Sequence, residues 1–192
     1  MTHARRMIRD TSKVTNLSVY IMGVAAGGAV SLVSTLLAAL GLVRMDLEML
    51  IGSSLTGVVS QESGLLGLAI LLIASGFFAF GYAIIFRSAH RSGALVGINL
   101  CLFHYMVSGF LIGLLPVFHP LMPESLDSPG FFMVSAGFLP SVAFFLSHVL
   151  FGIVVGELFD KASIRGDYPQ PLTSGSLSSG LETTQAHHAQ FQ

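Results

Sequence analysis

Residues 65–86 read LLGLAILLIASGFFAFGYAIIF, and nothing between Glu62 and Arg87 carries a charge. Crossing the hydrocarbon of a bilayer takes roughly 20 residues of helix at about 1.5 Å rise each. In lipid, only helices or closed barrels satisfy every backbone polar group. Barrel strands alternate apolar and polar residues. The continuous run Leu68-Ala69-Ile70-Leu71-Leu72-Ile73 does not alternate, so the stretch reads as a membrane-spanning helix.

Three more charge-free runs flank it. They lie between Lys13 and Arg44, between Arg91 and Glu124, and between Asp127 and Glu157. Each is long enough to span, which predicts helices over Leu17–Val43, Leu65–Phe86, Gly93–Val117 and Phe132–Leu158. The composition agrees. Hydrophobic residues make up 53% of the 192 residues and charged residues 10%, against about 25% charged in soluble domains. The expected class is all-α: a polytopic transmembrane four-helix bundle with a short amphipathic segment on its outer face. The chain divides into an N-terminal segment (1–16), the bundle (17–160) and a polar tail (161–192). The basic residues before the first run suit a signal peptide, but its apolar core far exceeds the 7–15 residues of a signal. It is read as a retained helix.

The basic residues set a direction. Arg5, Arg6, Arg9, Lys13, Arg87, Arg91, Lys161 and Arg165 fall on one side of this topology, and Arg44 alone on the other. The positive-inside rule puts both termini in the cytoplasm, as expected for a multi-pass protein of a bacterial inner membrane. The net charge of −1 gives no basic excess for nucleic acid. The expected surroundings are the lipid bilayer, with a second copy or a membrane-complex partner as further candidates.

The outer connections are informative. Asp46 can cap a short helix, because its carboxylate can accept the free N–H groups of a first turn. Leu47, Leu50, Ile51, Leu55, Val58 and Val59 then share one face, which predicts an amphipathic helix resting on the membrane or on the bundle. The next outer loop, with Pro120, Pro123 and Pro129, excludes a regular helix, and its apolar residues suggest a segment folded onto the bundle. Pro140, one to two turns into the fourth span, is expected to kink it. The inner connection Arg87–Ser92 is short, so the second and third spans are expected to be antiparallel neighbours. After Lys161 the Ser, Thr, Gly, Gln and Pro residues predict a disordered tail.

Gly23 and Gly27, Gly93 and Gly97, Gly109 and Gly113, and Gly152 and Gly156 recur at four-residue spacing. Small residues so spaced let helix backbones approach closely in lipid. The sequence leaves open whether they join helices within the chain or between copies.

Polar residues within spans mark candidate sites. The third span carries Asn99, His104, Tyr105 and Ser108, and the fourth carries Ser147 and His148. At helical rise, His104 and His148 lie ~16 Å and ~14 Å from the inner end, near mid-bilayer. Three readings stay open for this pair: cross-helix hydrogen bonds that help packing, ligation of haem or a transition metal, and the lining of a polar path for a small solute. His119 and Met122 form a separate outer-face candidate, with ligand chemistry that suits copper. Cys101, the single cysteine, reads as a small packing residue. No Walker loop, HExxH, CxxC or G-x-S-x-G is present. Ser147 adjoins His148, but sequence neighbours on a helix point ~100° apart and do not form a catalytic dyad.

The stretch Gly97-Ile98-Asn99-Leu100-Cys101-Leu102-Phe103-His104, with Gly109, Gly113, Leu115-Pro116 and His119-Pro120-Leu121, resembles a group of small bacterial four-helix membrane proteins of unknown function. Pro129-Gly130, Gly137-Phe138-Leu139 and the run from His148 to Gly156 fit the same pattern, which covers about residues 17–160. Members of that group often carry a histidine four residues before the glycine that Gly76 matches, where this chain has Leu72. The resemblance implies the same topology and singles out His104, His119 and His148.

The leading functional expectation is a non-enzymatic membrane protein of accessory or binding type, including a subunit of a larger assembly. A haem- or metal-binding protein and a small-solute channel or transporter are the alternatives.

Overall fold

A computed structural model of the protein describes residues 14–43 and 46–164. The basic residues before Val14, Arg44, and the tail beyond Ile164 with its predicted disorder lie outside the described residues. Five α-helices follow in order: α1 (Asn16–Ala39), α2 (Leu47–Thr56), α3 (Gln61–Ala89), α4 (Ala94–Phe118) and α5 (Phe138–Ile164). A 3-10 segment, Phe131–Ala136, precedes α5. No strand occurs among the described residues. The long helices α1, α3, α4 and α5 are each long and apolar enough to cross a membrane. Leucines, isoleucines and phenylalanines are widely exposed on them, Leu95 at 79% and Phe103 at 74% among them. Water would not tolerate such a surface, whereas lipid is its natural solvent. The protein is a multi-pass membrane bundle.

The spans differ from the charge-free runs at their ends, because caps rather than charges end a helix. Thr15 caps α1 by accepting the N–H of Ser18, and Ser60 caps α3 by accepting that of Ser63. α3 therefore starts four residues before Leu65. At the start of α4, Gly93 holds φ 105°, which favours glycine. Its N–H donates to the carbonyl of Gly156, and the Glu157 carboxylate accepts the N–H of Ala94. A carboxylate on a helix N-terminus satisfies an orphan donor and complements the helix dipole. α5 begins at Phe138 rather than Phe132. Pro140 thus occupies its first turn, where a missing N–H costs nothing, and the expected kink has no basis.

α2 forms as predicted and is capped by Asp46, which accepts the N–H groups of Glu48 and Met49. Its inward side keeps only the first half of the predicted stripe: Leu50 is buried, and Leu47 and Ile51 are partly buried. Leu50, Gly52 and Ser53 are buried, while Leu55, Val58 and Val59 are more than half exposed. The reason is backbone approach: a Cβ on Gly52 would overlap the carbonyl of Ser63, and one on Gly67 the carbonyl of Glu48. Glycines on both helices bring α2 against α3, and this contact outweighs the apolar stripe that periodicity picks out.

The other glycine pairs also work within the chain. Gly23 and Gly27 of α1 seat on Ser75, Gly76 and Ala79 of α3. Gly97 meets Gly152, and Gly156 meets Gly93, joining α4 to α5. Gly109 and Gly113 receive the rings of Phe132 and Phe131 instead of another helix. Phe132 and Met133 are held at φ 56° and 64°, a left-handed conformation that is costly for bulky residues. Burial of Met133 and insertion of the two rings into the glycine notch offset that cost. The second and third spans are neighbours through side chains, Phe78 and Tyr82 of α3 meeting His104 of α4, rather than through close backbone packing. α1 lies along α3 and α5, and α4 along α5, but α3 and α4 approach each other only sparsely. A chamber lies among the helices, with α3 and α4 on two of its walls.

Candidate functional site

The chamber lies in the half of the bundle nearer α2. It has a volume of about 250 Å³ and is lined mainly by apolar side chains, with Leu47 and Ile51 of α2 among them. The polar groups on its wall are Ser75, His104, Ser108, Ser147 and His148. Toward the Arg87 end, Tyr82, Phe86, Phe151, Val155 and Phe159 form the core below it, with Phe86 and Phe159 fully buried. The chamber is therefore a dead end on that side.

The two histidines meet here. Their ring centroids are 4.7 Å apart and their planes inclined at 72°. Phe78 stacks on His104 at 4.1 Å, and Phe144 meets His148 edge-on at 4.6 Å. Among the described residues no carboxylate lines the chamber, so a charged imidazole would lack a counter-ion there, and the neutral forms are the ones to consider. His148 Nδ1 lies 2.7 Å from the carbonyl oxygen of Phe144. A carbonyl only accepts, so Nδ1 carries the proton and Nε2 keeps its lone pair. His104 Nδ1 lies 3.4 Å from the hydroxyl of Tyr82. Tyr82 is 4% exposed, and a buried phenol needs an acceptor. Among the described residues that acceptor is His104 Nδ1, so the proton of His104 sits on Nε2.

The hydrogen bonds of the pair leave both Nε2 atoms out: none joins the two rings, and none reaches either Nε2 from another described residue. Yet among the described residues no buried side-chain nitrogen or oxygen is left without a partner. Both Nε2 atoms therefore keep accessible surface, and both residues line the chamber. The chamber wall thus presents one N–H from His104 beside one lone pair from His148.

This arrangement bears on the metal reading. With metal–nitrogen bonds of about 2.0–2.1 Å, trans imidazoles have ring centroids ~6 Å apart on opposite sides of a porphyrin. A separation of 4.7 Å leaves no room for haem between them. A single ion held by both rings would need two lone pairs, whereas the Tyr82 bond leaves one. No group of three or more His, Cys, Asp or Glu converges to hold a metal among the described residues.

Two sequence candidates fall elsewhere. Asn99 precedes His104 by five residues, ~140° around the helix at 3.6 residues per turn. It is exposed and donates to its own helix at the Leu95 carbonyl. His119 is 3% exposed and fully engaged, so it is not an open outer-face ligand. Its Nδ1 accepts the N–H of Leu121, and its Nε2 lies 3.2 Å from the Leu50 carbonyl and 3.1 Å from the Ser53 hydroxyl. It fastens the loop after α4 onto α2. Met122 is buried beside it in sequence at 5%. Cys101 is wholly buried, as a packing residue. Ser147 and His148 are 3.3 Å apart, but both donate to the Phe144 carbonyl. A protonated Nδ1 cannot act as base toward that serine.

Sequence reasoning passed over Tyr82 and Ser75. A signal existed: within residues 65–86 they are the hydroxyl-bearing residues, seven apart and hence on one helix face. A second cavity of about 130 Å³ adjoins the chamber, sharing Val30, Leu47, Leu71, Phe144 and Ser147 with it. Its wall adds Ser31, Thr35, Asp46 and Glu48, and the Ser31 hydroxyl donates to the Glu48 carboxyl. Burial first, and then Asp46 as hydrogen-bond partner and like charge, push Glu48 up to about 7.

Comparison with protein-family profiles, with curated proteins and with solved structures returns no match to this chain.

Proposed function

We propose that this bundle is a non-enzymatic binding protein of the membrane, whose chamber holds a small lipophilic molecule by a polar group set between His104 and His148. The observation that carries this reading is the pair of accessible Nε2 atoms in an otherwise apolar chamber. Ligand sites are typically apolar cavities with a few placed polar groups. At about 250 Å³ the chamber suits one ring or the head of a longer chain. The aromatic core below it supports binding over conduction, since a channel would need a path past Phe86 and Phe159. We place the access route through the adjoining cavity, which is lined by Asp46 and Glu48 and shares wall residues with the chamber. By the positive-inside rule this access faces away from the cytoplasm of a bacterial inner membrane, with both termini inside. A reporter fused after Gln192 tests that orientation, and an external signal would reverse it.

Binding is tested on the full chain purified from its native membrane into nanodiscs. Organic extracts of the wild type and of Ala74→Phe, which fills the chamber, are compared by mass spectrometry. A lipophilic compound held stoichiometrically by the wild type and lost from the folded variant supports the reading. Extracts that both match bulk lipid would overturn it. An absorption spectrum and metal analysis of the same sample test the haem and metal alternatives.

A further inference from the structure

We infer that the chamber selects a neutral hydroxyl compound, a phenol, quinol or alcohol, over an isosteric ether or hydrocarbon. This rests on the binding reading above and names its ligand class. Tyr82 donates to His104 Nδ1, leaving Nε2–H of His104 as a donor. The Phe144 carbonyl takes the Nδ1 proton of His148, leaving its Nε2 as an acceptor. The rings are 4.7 Å apart, so one ligand oxygen can reach both nitrogens. A hydroxyl both accepts and donates, and it satisfies the two together. An ether or carbonyl oxygen satisfies His104 only and leaves the lone pair of His148 desolvated without a partner, which is the costly outcome. A hydrocarbon leaves both. Among the described residues on the chamber wall, a cation finds no carboxylate and an anion no fixed positive charge.

The chamber surroundings fit a ring. Phe78, Phe144 and Phe151 stand around the histidines and offer aromatic faces and edges. Sites built to hydrogen-bond a substrate hydroxyl reject the analogue lacking it, because the buried partners are left unpaired.

The test uses the full chain, labelled with ¹⁵N-histidine, in nanodiscs. It is titrated with p-cresol, 4-methylanisole and p-xylene, which are similar in size. The imidazole signals of His104 and His148 report occupancy separately from partition into lipid. The expected result is saturable binding of p-cresol that moves both Nε2 signals, about tenfold tighter than 4-methylanisole, as one net hydrogen bond of ~1.4 kcal/mol gives. His148→Leu should reduce p-cresol to the affinity of 4-methylanisole. Equal affinities for p-cresol and 4-methylanisole in the wild type would overturn the selection while leaving the binding reading intact. Absence of saturable binding by all three would overturn both.

Discussion

His104 of α4 and His148 of α5 stand edge to face at 4.7 Å, yet they share no hydrogen bond. Each is tied by Nδ1 to a different partner, one a phenol and the other a carbonyl. The consequence is polarity in the chemical sense: two identical side chains offer a donor and an acceptor. The proton positions follow from their neighbours, as is usual for histidine, where the bond at one ring nitrogen sets the other.

That assignment is directly measurable. Imidazole ¹⁵N shifts of the wild type are expected to show His104 as the Nε2–H form and His148 as the Nδ1–H form. In Tyr82→Phe the donor to His104 is gone, and its proton is expected to redistribute. p-Cresol affinity should then fall by up to about tenfold, one hydrogen bond's worth. An unchanged His104 signal in that variant would remove Tyr82 from the site.

The α4–α5 contact depends on glycine. A Cβ at Gly97 meets the Gly152 carbonyl, and one at Gly152 meets the Gly97 carbonyl, so backbone would have to move. Gly97→Ala and Gly152→Ala should each cost about 1–3 kcal/mol through overpacking. At Gly28 the nearest atom is Leu72 Cδ2 at 4.0 Å. There the same change should stabilise by about 0.5–1 kcal/mol, through helix propensity. Thermal unfolding in detergent distinguishes the two signs.

His119 is assigned a structural role. His119→Leu leaves the Leu121 N–H and the Leu50 carbonyl without that partner, an expected loss of about 1–3 kcal/mol. Stability should fall, and p-cresol affinity in the folded fraction should hold. Lost affinity at unchanged stability would move His119 into the binding site.

Glu48 makes stability pH-dependent. Its carboxyl ionises near 4.5 when unfolded and near 7 when folded. Between those values the folded state holds a proton that the unfolded state has lost, so stability falls as pH rises through that window. Below about 4.5 and above about 7 this group contributes no slope. Glu48→Gln should flatten the thermal-midpoint profile between pH 4.5 and 7, and an unaltered profile would assign the slope to another group.

The spans were legible because lipid imposes a one-dimensional rule. A helix that crosses it must be apolar over about 20 residues, and charges mark its limits. Asp46 was legible as a cap because capping is local. The face of α2 was legible only at Leu47, Leu50 and Ile51, since the rest is decided by the close approach of Gly52 and Gly67, which periodicity within one helix does not reveal. The same holds for Pro140, whose effect depends on where α5 starts. That start is set by Phe131 and Phe132 seating on Gly113 and Gly109.

By itself, then, the sequence determined four apolar helices, a capped segment between the first two, and two histidines at similar depth. Periodicity, charge and rise per residue are properties of single segments, and they suffice for that. Tertiary structure alone decided that α3 and α4 meet through side chains beside a chamber, that His104 and His148 line it while Asn99 and His119 do not, and that Tyr82 belongs with them. Rotation of one helix about its axis relative to another is fixed by mutual packing. The proton on each imidazole is fixed by what that packing places at its other nitrogen.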